Sequence, residues 1–445
     1  MSTTASLMLV LFASIALIVF LIMKVRLHTF VTLIVACMFV GFATGMPLAK
    51  IGASIEAGMG GTLGFLATIL GLGTILGKML EVSHGAQRLA RTMIEALGKD
   101  KAAWAMMIVG FIAGIPVFFQ VGFVLLIPLV FSVAKETGLS MISIGIPTAV
   151  SLITVHCILP PHPAAMAIAG SLQADIGRVI LYGIIVGLPA VIIAGPLWSN
   201  LIGDKFKFTL PESLQKTEMV AEKDMPSFGV TLFTIMLPLL IMVSKTIIEL
   251  NFPKDASFMP IVNFIGNPIT ALLISTFVAY YTLGLARGFN MKQLLSFTDQ
   301  CFGPVAGILL VIGGGGAFNK VLIDSGLGTE LAKVLTGLSM NPLLLAWVVA
   351  VVMRFSVGSA TVAMMTAVGI VMPILSAYPG LDPALVAVAV GAGAISFSHV
   401  NDSGFWIVKE FFGLSVTDTL KSYTTATCIA AVVAIAVTML LAQIV

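Results

Sequence analysis

Residues 154–165 read Thr-Val-His-Cys-Ile-Leu-Pro-Pro-His-Pro-Ala-Ala within a long apolar segment, and nothing else in the chain restricts its fold as strongly. Pro160, Pro161 and Pro163 remove three backbone donors, and each ring crowds the turn before it, so one continuous helix cannot pass through. A second polar interruption, Ser396-Phe397-Ser398-His399-Val400-Asn401-Asp402-Ser403-Gly404, lies in another apolar segment far along the chain. Within a bilayer, irregular backbone is stable only where protein buries it or where it lines a watery cavity. Two such breaks are expected to share one binding site.

The bilayer setting follows from composition. Of 445 residues, 59% are hydrophobic and only 10% charged, with a mean hydropathy of +1.11; a soluble domain carries about 25% charged residues. The chain reads as a polytopic membrane protein whose 43 glycines and 24 methionines suit close helix packing and adaptable lining. A net charge of +3 points to no acidic partner and no nucleic acid, because positive charge at a cytoplasmic face is ordinary for membrane proteins. Cys37, Cys157, Cys301 and Cys428 lie in or beside apolar runs without metal-ligand spacing, so they read as reduced packing residues, and neither metal nor cofactor is expected. No basic stretch precedes the first apolar run, which is expected to stay as a membrane helix.

A span needs about 20 apolar residues. Runs at 7–23, 30–46 and 62–82 fit, followed by 86–97, where Arg88, Arg91 and Glu95 oppose Leu89, Met93 and Ile94 as in a helix lying flat in the interface. Near 102–134 two arms too short to cross comfortably meet at Pro116 and predict a re-entrant hairpin. A broken helix over 143–172 and a span at 179–202 close a first unit, 1–203. The polar stretch 204–227 reads as an exposed linker. The second unit, 228–445, has spans at 229–248, 264–285 and 305–323, a flat helix at 327–335 and a hairpin near 341–375. A broken helix over 384–412 and a span at 419–444 complete it.

The two units superpose at a constant offset of 242 residues, which lays Gly71 and Gly73 on Gly313 and Gly315, Lys78 on Lys320, and Pro160 on Asp402. Five crossings separate corresponding ends, and an odd number inverts the second unit. The expected fold is therefore all-α, with two inverted-topology repeats, about ten full spans, two re-entrant hairpins and two broken helices. Lysine and arginine crowd one set of connections, including Lys24, Arg26, Arg88, Arg91, Lys99, Lys101, Lys135 and the linker, which places that side in the cytoplasm and both termini outside.

Hairpin tips and helix breaks bring unpaired backbone donors to mid-membrane, where they attract an anion. The second tip, Gly358-Ser359-Ala360-Thr361, adds hydroxyls; the first, Gly114-Ile115-Pro116-Val117-Phe118-Phe119-Gln120, offers the Gln120 amide or is simply a packed crown. Asp402, beside Ser398, His399 and Asn401, is an ionisable group inside a membrane segment and so a candidate for proton or substrate handling. It can also cap the following helix half, and one carboxylate can do both. His156, His162 and His399 are the histidines of the breaks, either proton carriers or satisfied polar core groups. Lys78, Lys320 and Arg354 can snorkel to a surface or draw in an anion.

At the level of motif, Gly71-Leu-Gly-Thr-Ile-Leu-Gly-Lys78, Pro160-Pro-His-Pro-Ala-Ala165, Gly358-Ser-Ala-Thr-Val-Ala363 and Ser398-His-Val-Asn-Asp-Ser-Gly-Phe-Trp406 resemble the gluconate permease family of bacterial inner-membrane symporters. Gly61-Thr-Leu-Gly-Phe-Leu-Ala67 joins them, and the likeness runs over essentially the whole chain. The family includes a D-serine permease branch and is distantly similar to the ion-transporter superfamily of inverted repeats with two hairpins. The resemblance implies uptake of gluconate or a related sugar acid together with a proton, across the inner membrane; no enzyme is expected, because only His399 and Asp402 approach a catalytic pair and nothing supplies a nucleophile. The motif at 398–406 is nearer the gluconate members, so a sugar acid is expected ahead of D-serine, another small acid or sodium coupling. Substrate is then expected between Gly114, Pro116, Gln120, Gly358, Ser359 and Thr361, its carboxylate facing Ser359, Thr361 and backbone donors, with Ser398, Asn401 and His162 on its hydroxyls. Asp402, His156, His162 or His399 would carry the proton. Membrane lipid is the other expected partner, and association with copies of itself is left open.

Overall fold

A computed structural model describes residues 4–203, 221–253, 255–327, 341–378, 380–400 and 402–445, and all their regular structure is helical. Helices α1 (Thr4–Met23) and α2 (Thr29–Ala43) lead into α3 (Leu48–Val82), whose arms Leu48–Gly64 and Ala67–Val82 are bent by 41°. The span expected at 62–82 is only the second arm. The glycines before it do not end the helix; they let it approach a neighbour, since a Cβ on Gly58 would lie 2.5 Å from the carbonyl oxygen of Gly316.

Helix α4 (Gly85–Leu97) buries Leu89 and Ala90 and turns Arg91 and Glu95 outward as an ion pair at 3.2 Å. Then come α5 (Ala102–Ala113), α6 (Phe119–Thr137), α7 (Met141–Ile158), α8 (Pro163–Ser171) and α9 (Ile176–Ile202). In α9, Pro196 sits in a wider turn, Ile193–Leu197, that absorbs its missing donor. The longer helices that follow are α10 (Phe228–Asn251), α11 (Pro268–Arg287), α12 (Met291–Asp324), α13 (Pro342–Val357), α14 (Ala360–Ala377), α15 (Pro383–Ile395), α16 (Ser403–Phe411) and α17 (Val416–Leu441), with a short helix Met259–Ile265 ahead of α11.

Both expected hairpins are helix pairs, α5 with α6 and α13 with α14, and both expected breaks fall where the sequence places them, after Ile158 and after Ile395. Helix α12 starts well before the expected span at 305–323, because Asn290 and Gln293 form a reciprocal N-terminal cap there. At the 242-residue offset, α3 and α12 correspond nearly end to end, as do the two hairpins and the two broken helices. The flat helix expected at 327–335 falls, beyond Leu327, outside the described residues, as does the linker between 204 and 220.

Every residue of α7 is buried, as is α15 from Ala384 to Ile395. These two helices form the centre of the molecule and cross closely: a Cβ on Gly391 would lie 2.3 Å from the carbonyl oxygen of Cys157. Large apolar side chains such as Phe12, Phe233, Phe264 and Phe277 point outward, more than half exposed. Six helices among the described residues, including the whole of α7 with α8, are long and apolar enough to cross a membrane, and the bent α3 makes a seventh. The shorter apolar helices are α1, α2, the arms of the second hairpin and α15. The protein is a multi-pass membrane protein.

Candidate functional site

The two tips, the end of α7 just ahead of the first break, and Asp402 of the second break meet around one cavity of about 150 Å³. Phe118, Phe119 and Gln120 reach it from the first tip, and Ser359, Ala360, Thr361 and Val362 from the second. Helix α7 adds Ile153 and His156, while Arg354 and Asp402 close the wall. Three helices, α6, α14 and α16, therefore begin at this cavity, and the positive ends of their dipoles point at it. Ser359 caps α14 by accepting from the Val362 amide at 3.4 Å, and Gln120 reaches across the cavity mouth to donate to Ser403 Oγ at 3.3 Å.

This wall contains a buried ion pair. Arg354 Nη2 donates to Asp402 Oδ2 at 2.5 Å, with Arg354 fully buried and Asp402 only 5% exposed. The rest of the guanidinium is taken by backbone: Nε donates to Ser396 O at 3.1 Å and Nη1 to Gly358 O. Gly358, at φ +82°, ends α13 in a conformation that glycine adopts without strain, which turns its carbonyl onto the arginine. On the acid side, Ser398 Oγ also donates to Asp402 Oδ2, while Oδ1 accepts the Gly404 amide at 3.0 Å. Asp402 is thus both a cap for α16 and half of a buried ion pair. Ser398 is fixed in turn by Thr424, which donates to its carbonyl, and by Thr427 Oγ1, which accepts its amide at 3.4 Å.

The histidines divide. His156 faces the cavity, and its Nε2 lies 3.0 Å from Thr361 Oγ1, joining the first break to the second tip. His162 sits behind it, ring centroids 4.2 Å apart, fully buried, with Nδ1 accepting the Ala164 amide as the cap of α8. Phe118 stacks edge-on against both. His399 turns away: its Nε2 donates to Phe355 O at 2.9 Å and the ring packs on Phe355.

Of the residues the sequence nominates, Gln120, Ser359, Thr361, His156 and Asp402 line the cavity; Ser398 and Gly358 hold its charged wall from behind. Gly114 lies beneath, against Leu152 and the Gly110 carbonyl. Pro116 lines a second cavity of about 140 Å³ with Thr74, Lys78, Glu81 and Gln300. Phe118 separates the two, belonging to both walls. Lys78 donates to Glu81 at 2.8 Å, and its repeat partner Lys320 to Asp324 at 2.8 Å, so both ammonium groups are paired within their own helices. Asn401 lies outside the described residues. The residue that sequence reasoning left ambiguous, Arg354, is the central cation, and its pairing with Asp402 is set by packing rather than by any local motif.

A model of the GntP family permeases matches residues 5–445. The D-serine transporter DsdX of Escherichia coli is 49% identical over 439 residues, spanning 97% of this chain and 97% of its own. A gluconate permease of Pseudomonas aeruginosa is 45% identical over 425 residues, spanning 95% and 94%. The high-affinity gluconate transporter of Escherichia coli is 43% identical over 407 residues, spanning 92% of each. Among solved structures, the YdaH transporter of Alcanivorax borkumensis superposes with a TM-score of 0.65 at 14% identity, over 94% of this chain and 99% of that one. MtrF of Neisseria gonorrhoeae superposes at 0.64 and 12% identity, over 88% and 83%. At such identities these two share the fold alone.

Proposed function

Because the chain belongs to the GntP family of permeases, we propose that it carries a small hydroxylated monocarboxylate of the gluconate kind across the bacterial inner membrane, inward and together with a proton. The observation that carries this reading is a cavity shared by both tips, α7 and the second break, with a buried Arg354–Asp402 pair in its wall and the starts of three helices around it. An anion of few carbons fits that field, and the Gln120, Ser359 and Thr361 side chains offer partners for hydroxyls. Asp402 is the group that changes protonation during the cycle, and His156 is its nearest rival.

Residues 1–203 and 228–445 act as two inverted units around this site, with the linker and the basic connections in the cytoplasm and both termini outside. The recurrence of helix bounds at one offset supports that arrangement. The first hairpin then opens from the cytoplasm and the second from the exterior. Similarity to the D-serine transporter DsdX favours one second reading, an amino acid as cargo, and the opposed charges of Arg354 and Asp402 suit a zwitterion.

Reconstituted vesicles with an inward proton gradient, offered labelled gluconate and labelled D-serine in separate arms, test both. Accumulation of gluconate that collapses with a protonophore is the expected result. Accumulation of D-serine alone selects the second reading, and accumulation that follows sodium at constant pH removes proton coupling.

A further inference from the structure

We propose that Arg354 receives the carboxylate of the cargo, and that it does so by exchange: Asp402 lets go of the guanidinium and takes up a proton as the cargo's carboxylate arrives. This deepens the carrier reading and rests on it. Both members of the pair stand in the cavity wall, Arg354 fully buried and Asp402 5% exposed, and Arg354 Nη2 is already taken by Asp402 Oδ2. A carboxylate therefore reaches the guanidinium only by moving Asp402 aside. Arg354 can stay in place when that happens, because Nε and Nη1 are anchored on the carbonyls of Ser396 and Gly358, and only Nη2 is committed to a charge.

Two carboxylates sharing one cation away from water do not both stay ionised. Asp402 is the one placed to accept the proton. Neutral, it keeps the Gly404 amide on Oδ1 and turns its new O–H on Oδ2 toward Ser398 Oγ, which reverses its role from donor to acceptor. Charge balances throughout: one cation and one anion before, and one cation, one anion and a neutral acid after. One proton travels with one monocarboxylate.

The other groups around Asp402 do not fit the part as well. Cys157 and Tyr423 are buried beside it, off the cavity, and His399 gives its backbone carbonyl to the Asp402 amide and its ring to Phe355. His156 alone shares the cavity and can compete for the proton.

The test uses the full chain in detergent with gluconate as ligand, a weak buffer and a pH-indicating dye. Wild type is expected to take up about one proton per gluconate bound, with affinity falling about tenfold for each unit of rise in pH while free Asp402 is ionised. Asp402→Asn is expected to bind gluconate with no proton uptake and a flat pH profile, and His156→Gln to keep both proton uptake and slope. Arg354→Gln is expected to lose roughly 100-fold or more in affinity. Because that change strands a buried acid and can unfold the chain, Arg354→Gln with Asp402→Asn, which leaves neither charge, is measured beside it and is expected to fold and bind equally poorly. Unchanged proton uptake in Asp402→Asn, or wild-type affinity in the doubly neutral variant, overturns the exchange. If wild type still accumulates gluconate on a proton gradient, the carrier reading survives that result. A wild-type chain that binds no gluconate overturns both.

Discussion

The two helix breaks occupy matching places in the two halves and are built in opposite ways. The first is stiff and uncharged: Pro160, Pro161 and Pro163 end one helix and start the next, His162 caps α8, and His156 packs against it with Phe118. The second has no proline between Ile395 and Ser403; hydroxyls and an ion pair do the work, with Ser398, Thr424 and Thr427 bracing Asp402 against Arg354. A break made of prolines keeps one shape whatever the protonation state. One made of charged and hydroxyl groups changes its hydrogen bonds when a proton arrives, so the second break is where cargo and proton can be linked.

The largest expected effect follows from that contrast. Asp402→Asn should abolish concentrative uptake, bringing the internal-to-external ratio to about one while exchange of labelled for unlabelled cargo continues. Full accumulation in this variant would move the proton to the first break. Next is the crossing that joins the two breaks. Gly391→Ala puts a methyl group against the Cys157 carbonyl, backbone that cannot step aside, and should destabilise by about 1–3 kcal/mol, read as a fall of the thermal unfolding midpoint in detergent. A variant as stable as wild type would show that α7 and α15 sit further apart.

Smaller still is the link from the first break to the second tip. His156→Gln, which removes the ring facing Thr361, should raise KM roughly two- to tenfold with little change in kcat, as expected for one hydrogen bond. The smallest is within the first break itself. His162→Ala should cost about 1 kcal/mol through the lost cap, and His162→Asn, a good capping residue, should restore most of it with the pH dependence of uptake unmoved. A shifted pH profile in His162→Asn would give the first break a share in proton handling.

The breaks and hairpins were legible in the sequence because their causes are local: a proline removes its own amide, and a short apolar run is too short wherever it lies. The cap formed by Asp402 was legible for the same reason, being set two residues from the amide it accepts. The Arg354–Asp402 pair was not, since its members stand 48 positions apart and only the packing of the second hairpin against the second break brings them together. Nor was the exclusion from the cavity wall of Pro116, which Phe118 leaves in a second cavity, and of His162, which sits behind His156. The early start of α3 was hidden because its first arm is less apolar than a membrane span, and its glycines serve as contact points, Gly58 against Gly316.

Central to the account is that the first tip and the second break face each other across the bound cargo. In a chain whose four native cysteines are replaced, Gln120→Cys with Ser403→Cys can be bridged by dibromobimane, which fluoresces only when both its arms react. The expected result is rapid bridging that gluconate slows in proportion to its occupancy, with either cysteine alone giving no signal. Bridging that fails in a folded, transport-competent protein, or that proceeds at one rate with and without cargo, would contradict it.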